Sequence, residues 1–155
     1  MNIDGGHRMR RPARDTDQSL FRLVYDSVVL LPFGAEGERG LKDILDVAQI
    51  HNTACGITAV LHCDGAYFMQ ILEGPADAVE RLVERIMRDP RHTNIRVVSR
   101  GSIMQRDFPD WNMALVNEEE MARAIVRHPL LPEIHPYRAA ELVLAMRTVL
   151  ADRPN

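Results

Sequence analysis

The chain has 155 residues and a formal net charge of -3 at pH 7. A chain of this length fits one domain with a real core, because it can bury roughly 70% of the surface that its unfolded form exposes. The slight acidity argues against a dedicated nucleic-acid binder, which needs a basic face. No apolar run approaches the ~20 residues that cross a bilayer. We therefore expect a soluble protein that contacts neither nucleic acid nor membrane.

Residues 1–18 are predicted to form a polar, disordered leader. They carry four arginines but lack the apolar core of a secretory signal, so we expect a cytoplasmic protein. The arginines could touch a membrane or RNA, although a solvated tail is the commoner role of such a run. Cys55 and Cys63 lack the spacing of a zinc site or a redox pair, which favours free thiols and no bound metal.

The first predicted elements are a strand and a helix. Residues 20–31 are rich in valine, leucine and aromatic side chains and stop at a proline, as a buried strand does. Apolar residues at helical spacing then predict a helix over residues 41–52. Between these elements, Gly34, Gly37 and Gly40 do not follow the spacing of a dinucleotide-binding loop, so we expect a flexible connection.

A β-hairpin is predicted next. Residues 57–63 and 67–72 have strand composition and flank Asp64-Gly65. An Asp-Gly pair supplies the positive φ angles that tight hairpin turns require, so these two strands should be adjacent and antiparallel.

A second helix and two more strands complete the predicted sheet. Pro75 suits a first helical turn, and the apolar stripe after it ends near residue 89. Residues 94–103 and 111–116 have strand composition. The order βαββαββ, with one apolar stripe on each helix, predicts an α+β, ferredoxin-like fold in which both helices cover one face of the sheet.

Residues 117–155 are predicted to form a helical cap on the other face. Asn117 can cap a helix whose first turn carries three glutamates, which the positive end of the helix dipole favours. A proline-rich linker follows at 128–136. A last helix carries apolar side chains along one side over residues 142–150.

Several residues that could carry chemistry come from different elements that this topology brings together. They describe an apolar slot between two helices, rimmed by amides and a phenol, which suits a flat ring with carbonyl and imino edges. A buried amide without partners costs about 1–3 kcal/mol, so Gln70 needs partners, and backbone partners at a strand edge are the alternative interpretation. The set comprises Tyr25, Ile44, His51, Asn52, Gln70, Arg85, Ile86, Asp89 and His92.

Five separated motifs occur in a fixed order along the chain. They are LVYDS, a helix ending in HN followed by GIT, DGAYFMQILEG, RDPRH and RDFPDWNM. In conjunction, they resemble the BLUF domain, a family of blue-light sensors that use FAD, over residues 19–116. The resemblance implies a short, single-domain photoreceptor that is not an enzyme and that binds FAD non-covalently, with FMN or riboflavin left open.

The resemblance also implies roles for the matched residues. Asn52 holds the pyrimidine edge of the flavin, with His51 beside it, and Ile44 and Ile86 sandwich the ring. Further implied flavin-binding residues are Tyr25, Ser27, Gln70, Arg85, Asp89 and His92. The implied photoswitch consists of Tyr25, Gln70, Trp111 and Met113, of which the last two lie on the fifth strand.

The implied mechanism leaves the flavin unchanged overall. Blue light excites the oxidised flavin, which takes an electron and a proton from the Tyr25 phenol through Gln70 and then returns both. An amide has a donor end and an acceptor end, so Gln70 can exchange hydrogen bonds without moving net charge. Trp111 or Met113 would relay the change to the outer face of the sheet. An effector protein in trans and a homodimer are the expected partners.

Two other functions remain open from the residues alone. One is a flavin-dependent redox enzyme and the other is a flavin-free, ferredoxin-like binding module. Three positions also depart from the common family pattern: Ala59 stands at a usual glycine, and His62 and Cys63 stand at usually apolar or aromatic sites. We expect the methyl group of Ala59 to affect the lifetime or the affinity more than the identity of the domain.

Overall fold

The computed structural model describes residues 19–127 and 139–153. The leader predicted at 1–18 and the linker predicted at 128–136 lie outside the described residues. In the part of the chain that is described, no helix is long and apolar enough to cross a membrane. The elements in chain order are β1 (Leu20–Val29), α1 (Ala35–Cys55), β2 (Thr58–Cys63), β3 (Tyr67–Pro75), α2 (Ala76–Met87), β4 (His92–Ser102), β5 (Ala114–Val116), α3 (Glu118–Arg127) and α4 (Ala139–Ala151).

The five strands form one mixed sheet in the order β4-β1-β3-β2-β5. All neighbours are antiparallel except β2 and β5, which are parallel. The predicted hairpin is confirmed: β2 and β3 pair from Cys63 and Phe68 onward, and Gly65 in the turn has a φ of +88°. The Asp64 carboxylate accepts the backbone N–H groups of Ala66 and Tyr67 at 2.9 and 2.8 Å, which closes the turn.

The alternation of side chains along the strands divides the core between the two faces of the sheet. On one face, Tyr25 and Leu72 pack with Val79 of α2. On the other face, Val24 and Ile71 pack with apolar residues of α3 and α4. The predicted α+β fold is therefore confirmed, with the first two helices on one face and the C-terminal helices on the other.

The predicted flexible glycine loop is wrong, because α1 begins at Ala35 and includes Gly37 and Gly40. A Cβ atom at Gly37 would lie 1.8 Å from the backbone oxygen of Pro32, and one at Gly40 would lie 2.7 Å from a methyl carbon of Leu31. Glycine permits this close crossing at the start of the helix. Its low helix propensity is outweighed by tertiary packing.

The fifth strand is shorter than predicted. It comprises only residues 114–116, so Trp111 and Met113 precede it instead of lying on it. The backbone carbonyl of Trp111 still accepts the Ala59 N–H of β2 at 2.9 Å. The next carbonyl, that of Asn112, accepts the Asn52 side chain at 2.8 Å. At Asn112 the backbone carbonyl therefore bonds to a side chain instead of a neighbouring strand, and β5 begins only at Ala114.

Candidate functional site

A cavity of about 160 Å³ opens between α1 and α2 on their face of the sheet. One water molecule needs roughly 10–15 Å³, so the cavity has room for a much larger group. All the residues with an implied flavin contact line it except Ser27, and Met113 lines it as well. These lining residues are Tyr25, Ile44, His51, Asn52, Gln70, Arg85, Ile86, Asp89 and His92.

Tyr25 and Gln70 face each other across the central strands. They are paired residues in the antiparallel register of β1 and β3, so their side chains emerge side by side on the same face. The Tyr25 hydroxyl donates to the Gln70 Oε1 at 2.5 Å, and both residues are buried. Burial, with a smaller effect of the Asp89 carboxylate, raises the pKa of Tyr25, so the phenol keeps its proton at neutral pH.

The other end of the Gln70 amide points toward a thioether. Its Nε2 lies 3.9 Å from the Sδ of Met113, which comes from the segment just before β5. Gln70 therefore lies between a phenol that donates a hydrogen bond and a sulfur that accepts one weakly. Any reorientation of this amide changes both contacts at once.

Two polar atoms at the cavity are buried and have no hydrogen-bond partner among the described residues. They are the Oδ1 of Asn52 and the Nδ1 of His51. The remaining polar atoms of these side chains are engaged, since the Asn52 amide donates to Asn112 and the His51 Nε2 contacts the Cys55 sulfur at 3.6 Å. A buried polar atom without a partner costs about 1–3 kcal/mol. A heterocycle with N–H and carbonyl edges would supply those partners, so the residues present fit a flavin.

His92 organises the end of α2 instead of offering a free nitrogen to the cavity. Its Nδ1 is 2.8 Å from the Ser27 hydroxyl, and its Nε2 is 2.6 Å from the backbone oxygen of Ile86. Ser27 is buried behind His92 and does not line the cavity. Ser27 therefore reaches the site through His92, which neither spacing nor composition could indicate.

Charged groups form the rim of the cavity at the end of α2. Asp89 accepts three bonds from the Arg91 guanidinium, at 2.5–3.1 Å. These bonds, more than the opposing effect of burial, hold the pKa of Asp89 below its usual value. Arg85 also lines the cavity, is exposed, and has no ion-pair partner within residues 19–127 and 139–153. Asp89 and Arg91 thus form an ion pair at the opening of the cavity, and the Arg85 guanidinium is a second cation at the same opening.

Trp111 lies on the opposite side of the sheet from Met113. Its half-buried ring packs against the cluster that contains α3 and α4, whereas Met113 packs with the cavity face. The Arg153 guanidinium of the chain's C-terminal region lies 5.7 Å from the centre of the indole. The structure therefore does not bring Trp111 to the cavity.

A buried carboxylate that the sequence did not reveal anchors the loop leading to Trp111. Glu73 is fully buried and accepts the backbone N–H groups of Asp107 and Phe108 at 3.0–3.1 Å. It also pairs with Arg22 at 2.7 Å. Burial raises the pKa of Glu73, against the opposing effects of the Phe108 N–H and the Arg22 charge. The RDF part of the last motif is thereby fixed to β3.

Further cavity residues were missed, although periodicity could have found most of them. Val47 and Ala48 share the helical face of Ile44 and His51. Phe68 precedes Gln70 by two residues on β3, and Leu61 is the Gln70 partner on β2. Leu82 and Arg91 complete the set.

Comparison with known proteins identifies the family. The family model for BLUF, described as sensors of blue light using FAD, matches residues 20–114. A photoactivated adenylate cyclase subunit beta from Euglena gracilis is 36% identical over 108 residues, which are 68% of this chain and 12% of that protein. The blue light- and temperature-regulated antirepressor BluF of Escherichia coli (strain K12) is 33% identical over 60 residues, 39% of this chain and 15% of that protein. The chain thus spans about an eighth of the length of the curated relatives that it matches.

Solved structures of similar size share the fold. A structure of BlrB, a BLUF protein in its dark state, has a TM-score of 0.74 and 31% identity and covers 84% of this chain and 97% of its own. A photo-activated state of BlsA has a TM-score of 0.71 and 29% identity and covers 88% of this chain and 98% of its own. The resemblance that the motifs indicated is confirmed. The chain belongs to the BLUF family and is a flavin-binding sensor of blue light.

Proposed function

We propose that the cavity between α1 and α2 holds the flavin ring and that Tyr25 and Gln70 form its light-driven switch. The observation that carries this proposal is the Tyr25 to Gln70 hydrogen bond, buried within the cavity beside the unpartnered Oδ1 of Asn52. Asn52 and His51 would hold the polar edge of the ring. Ile44 and Ile86 would contact its faces, with Arg85, Asp89 and His92 at the rim.

When bound, the flavin supplies the absorption of blue light and an electron-accepting ring. The protein supplies a phenol whose proton has one defined acceptor, the Gln70 Oε1. Burial disfavours the phenolate, so Tyr25 would release its proton to Gln70 only together with an electron for the bound flavin, and it would take both back afterwards. Tyr25 and Gln70 are both buried, which limits the access of bulk water to this exchange.

Gln70 converts the exchange into a structural change. If its amide reorients, the Nε2 turns toward Tyr25, and the Met113 sulfur loses the donor that now lies 3.9 Å away. Met113 belongs to a segment held by the Asn52 side chain at Asn112 and by the Ala59 backbone at Trp111. A change at Gln70 therefore acts on a segment that has contacts on both faces of the sheet.

An absorption spectrum before and after blue light tests the switch. The flavin-loaded protein should show a small, reversible red shift, and Tyr25→Phe and Gln70→Leu should abolish it. Tyr67→Phe is a matched control, because Tyr67 lies on β3 three residues from Gln70 but is exposed. An intact response in Gln70→Leu would contradict the proposed mechanism.

We further infer that the bound flavin is FAD. The family description names FAD, whereas a related structure of Klebsiella pneumoniae BlrP1 contains FMN. Arg85 supports a phosphate-bearing flavin, because its exposed guanidinium is available at the cavity. Arg85→Gln should weaken FAD and FMN binding but not riboflavin binding. The control Arg81→Gln, on the same helix but paired with Asp77 at 3.1 Å, should leave all three unchanged.

The signal is proposed to pass to an effector protein in trans, with the photoreceptor acting as a homodimer. Two relatives support an effector role by their descriptions, an adenylate cyclase subunit and an antirepressor. Light scattering of the purified protein in the dark and under blue light tests the dimer, and a monomer in both states would exclude it. The cytoplasmic location stays a prediction that cell fractionation would test.

A further inference from the structure

Arg153, just beyond α4, joins three other parts of the fold. Its Nη2 donates to the backbone carbonyl of Leu115 in β5. Its Nε and Nη2 donate to the two carboxylate oxygens of Glu120 in α3, at 3.1 and 2.9 Å. Its guanidinium lies over the ring of Trp111. Arg153 lies outside residues 20–114, so the family match gives it no role.

Glu120 is held in place independently of Arg153. Its carboxylate accepts the backbone N–H of Asn117 at 3.0 Å, and the Asn117 side chain accepts the Glu120 N–H at 2.9 Å. This reciprocal pair is a capping box at the start of α3. Partial burial acts to raise the pKa of Glu120, but the bonds from Arg153 and Asn117 outweigh it and lower the pKa. Arg153 therefore binds a carboxylate that is fixed and charged at neutral pH.

We propose that Arg153 is a positioning residue for Trp111, which it holds against the helices of the C-terminal cap, so that movement of the segment before β5 is transmitted to the end of α4. A planar guanidinium can donate within its plane to Glu120 and Leu115 while its face covers the indole. A lysine can pair with Glu120 but cannot make all three contacts. The part of the inference that concerns light rests on the proposed function, whereas the dark position of Trp111 does not.

Fluorescence of the flavin-loaded protein in the dark tests the position of Trp111, because the sequence contains one tryptophan. Arg153→Gln and Arg153→Lys should both shift the emission to longer wavelength. Both should also raise the acrylamide quenching constant of Trp111 about two- to fivefold. Loss of an ordinary cation–π contact changes the population of the exposed indole by about this factor. The lysine variant keeps the ion pair with Glu120, so it reports on the indole even if the glutamine variant unfolds.

Arg147→Gln is the matched control, since Arg147 lies on α4 and its ion pair is with Asp107 at 3.0 Å. Its emission and quenching should equal those of the wild type. Unchanged emission in both Arg153 variants would overturn the proposal, and so would the same change in Arg147→Gln.

Illumination tests the transmission. In the wild type, blue light should change the Trp111 emission, and in Arg153→Lys this change should fall about twofold or more. The flavin red shift should keep its full size, because Arg153 does not line the cavity. An equal light-induced emission change in wild type and Arg153→Lys would overturn the transmission. Absence of the red shift in the wild type would refute the proposed function, while the dark quenching would still decide the position of Trp111.

Discussion

The two ends of the Asn52 amide differ in their hydrogen bonding. Its Nδ2 donates to the Asn112 backbone, and its Oδ1 is buried without a partner among the described residues. The same Asn112 is also held through its side chain by Thr53 of α1. One side chain therefore fixes the segment before β5 and leaves an acceptor for a ligand.

Asn52→Ala should weaken flavin binding by roughly ten- to hundredfold, because a buried ligand donor loses its acceptor. Thr53→Ala is the control: it also loosens Asn112, but Thr53 is exposed and does not line the cavity. Titration of the ligand-free proteins with flavin measures both constants. Equal losses in the two variants would show that the effect comes from Asn112 and not from the cavity atom.

The positions of some site residues could be predicted from the sequence, because the spacing of residues along a strand determines which side chains share a face. Tyr25 and Gln70 are neighbours because antiparallel pairing of β1 and β3 brings them together. The orientation of Trp111 could not be predicted in this way, because its ring contacts Arg153, which is distant in sequence. The indirect placement of Ser27 behind His92 depends on tertiary packing in the same manner.

At the scale of elements, the start of α1 shows how packing overrides propensity. A series with three glycines suggested a loop, yet α1 starts at Ala35 because its first turns cross residues 31–32 at close range. Gly34, with a φ of +81°, is the N-cap that allows the turn. The strand and helix types were otherwise predictable from periodicity, and the boundaries were less so because side-chain partners set them.

Alanine substitutions at three glycines should therefore have graded effects. Gly37→Ala should destabilise the protein by about 1–3 kcal/mol, because a rigid backbone oxygen blocks the methyl group. Gly40→Ala should be near neutral, since a flexible leucine methyl can move and alanine favours a helix by about 1 kcal/mol. Gly101→Ala is the control, because a Cβ there meets nothing within 4 Å. Urea unfolding measures all three, and a neutral Gly37→Ala would contradict the close crossing.

At the scale of the whole molecule, the sheet separates the cavity from the C-terminal helices. The two clusters of apolar side chains lie on opposite faces, and the segment at residues 111–113 contacts both. The sequence predicted these two layers from the apolar stripes of the helices. Two ion pairs were not predictable because they join residues far apart in the chain: Glu120 with Arg153 inside the cap, and Asp107 with Arg147 between the cap and the rest of the fold.

The Glu120 pair predicts a pH dependence of stability. The pKa of Glu120 is lowered from 4.5 by folding, so its contribution is present above about pH 4.5 and is lost as the pH falls through the lowered value. Glu120→Gln should lower the thermal midpoint at pH 7 by up to about 4 °C, the range of a screened ion pair. That difference from the wild type should shrink below pH 4.5.

Glu119→Gln is the control for this measurement, because Glu119 is more exposed and lies 3.8 Å from Arg123. It should change the midpoint little at any pH. A difference for Glu120→Gln that stays constant from pH 7 to the acid range would show that the carboxylate charge does not contribute.

The strands of the sheet should open to solvent on two different timescales, because β5 is short and lies at the margin of the sheet. β1 pairs with β3 along almost its full length at the centre, whereas β5 has three residues and pairs with β2 alone among the described strands. Local opening is easiest where few backbone hydrogen bonds must break together. Amide protons of β5 should therefore exchange with solvent long before those of β1. Opening of β5 would leave the pairing of β1 with β3 intact, so the centre of the sheet would stay closed to solvent while its margin exchanges.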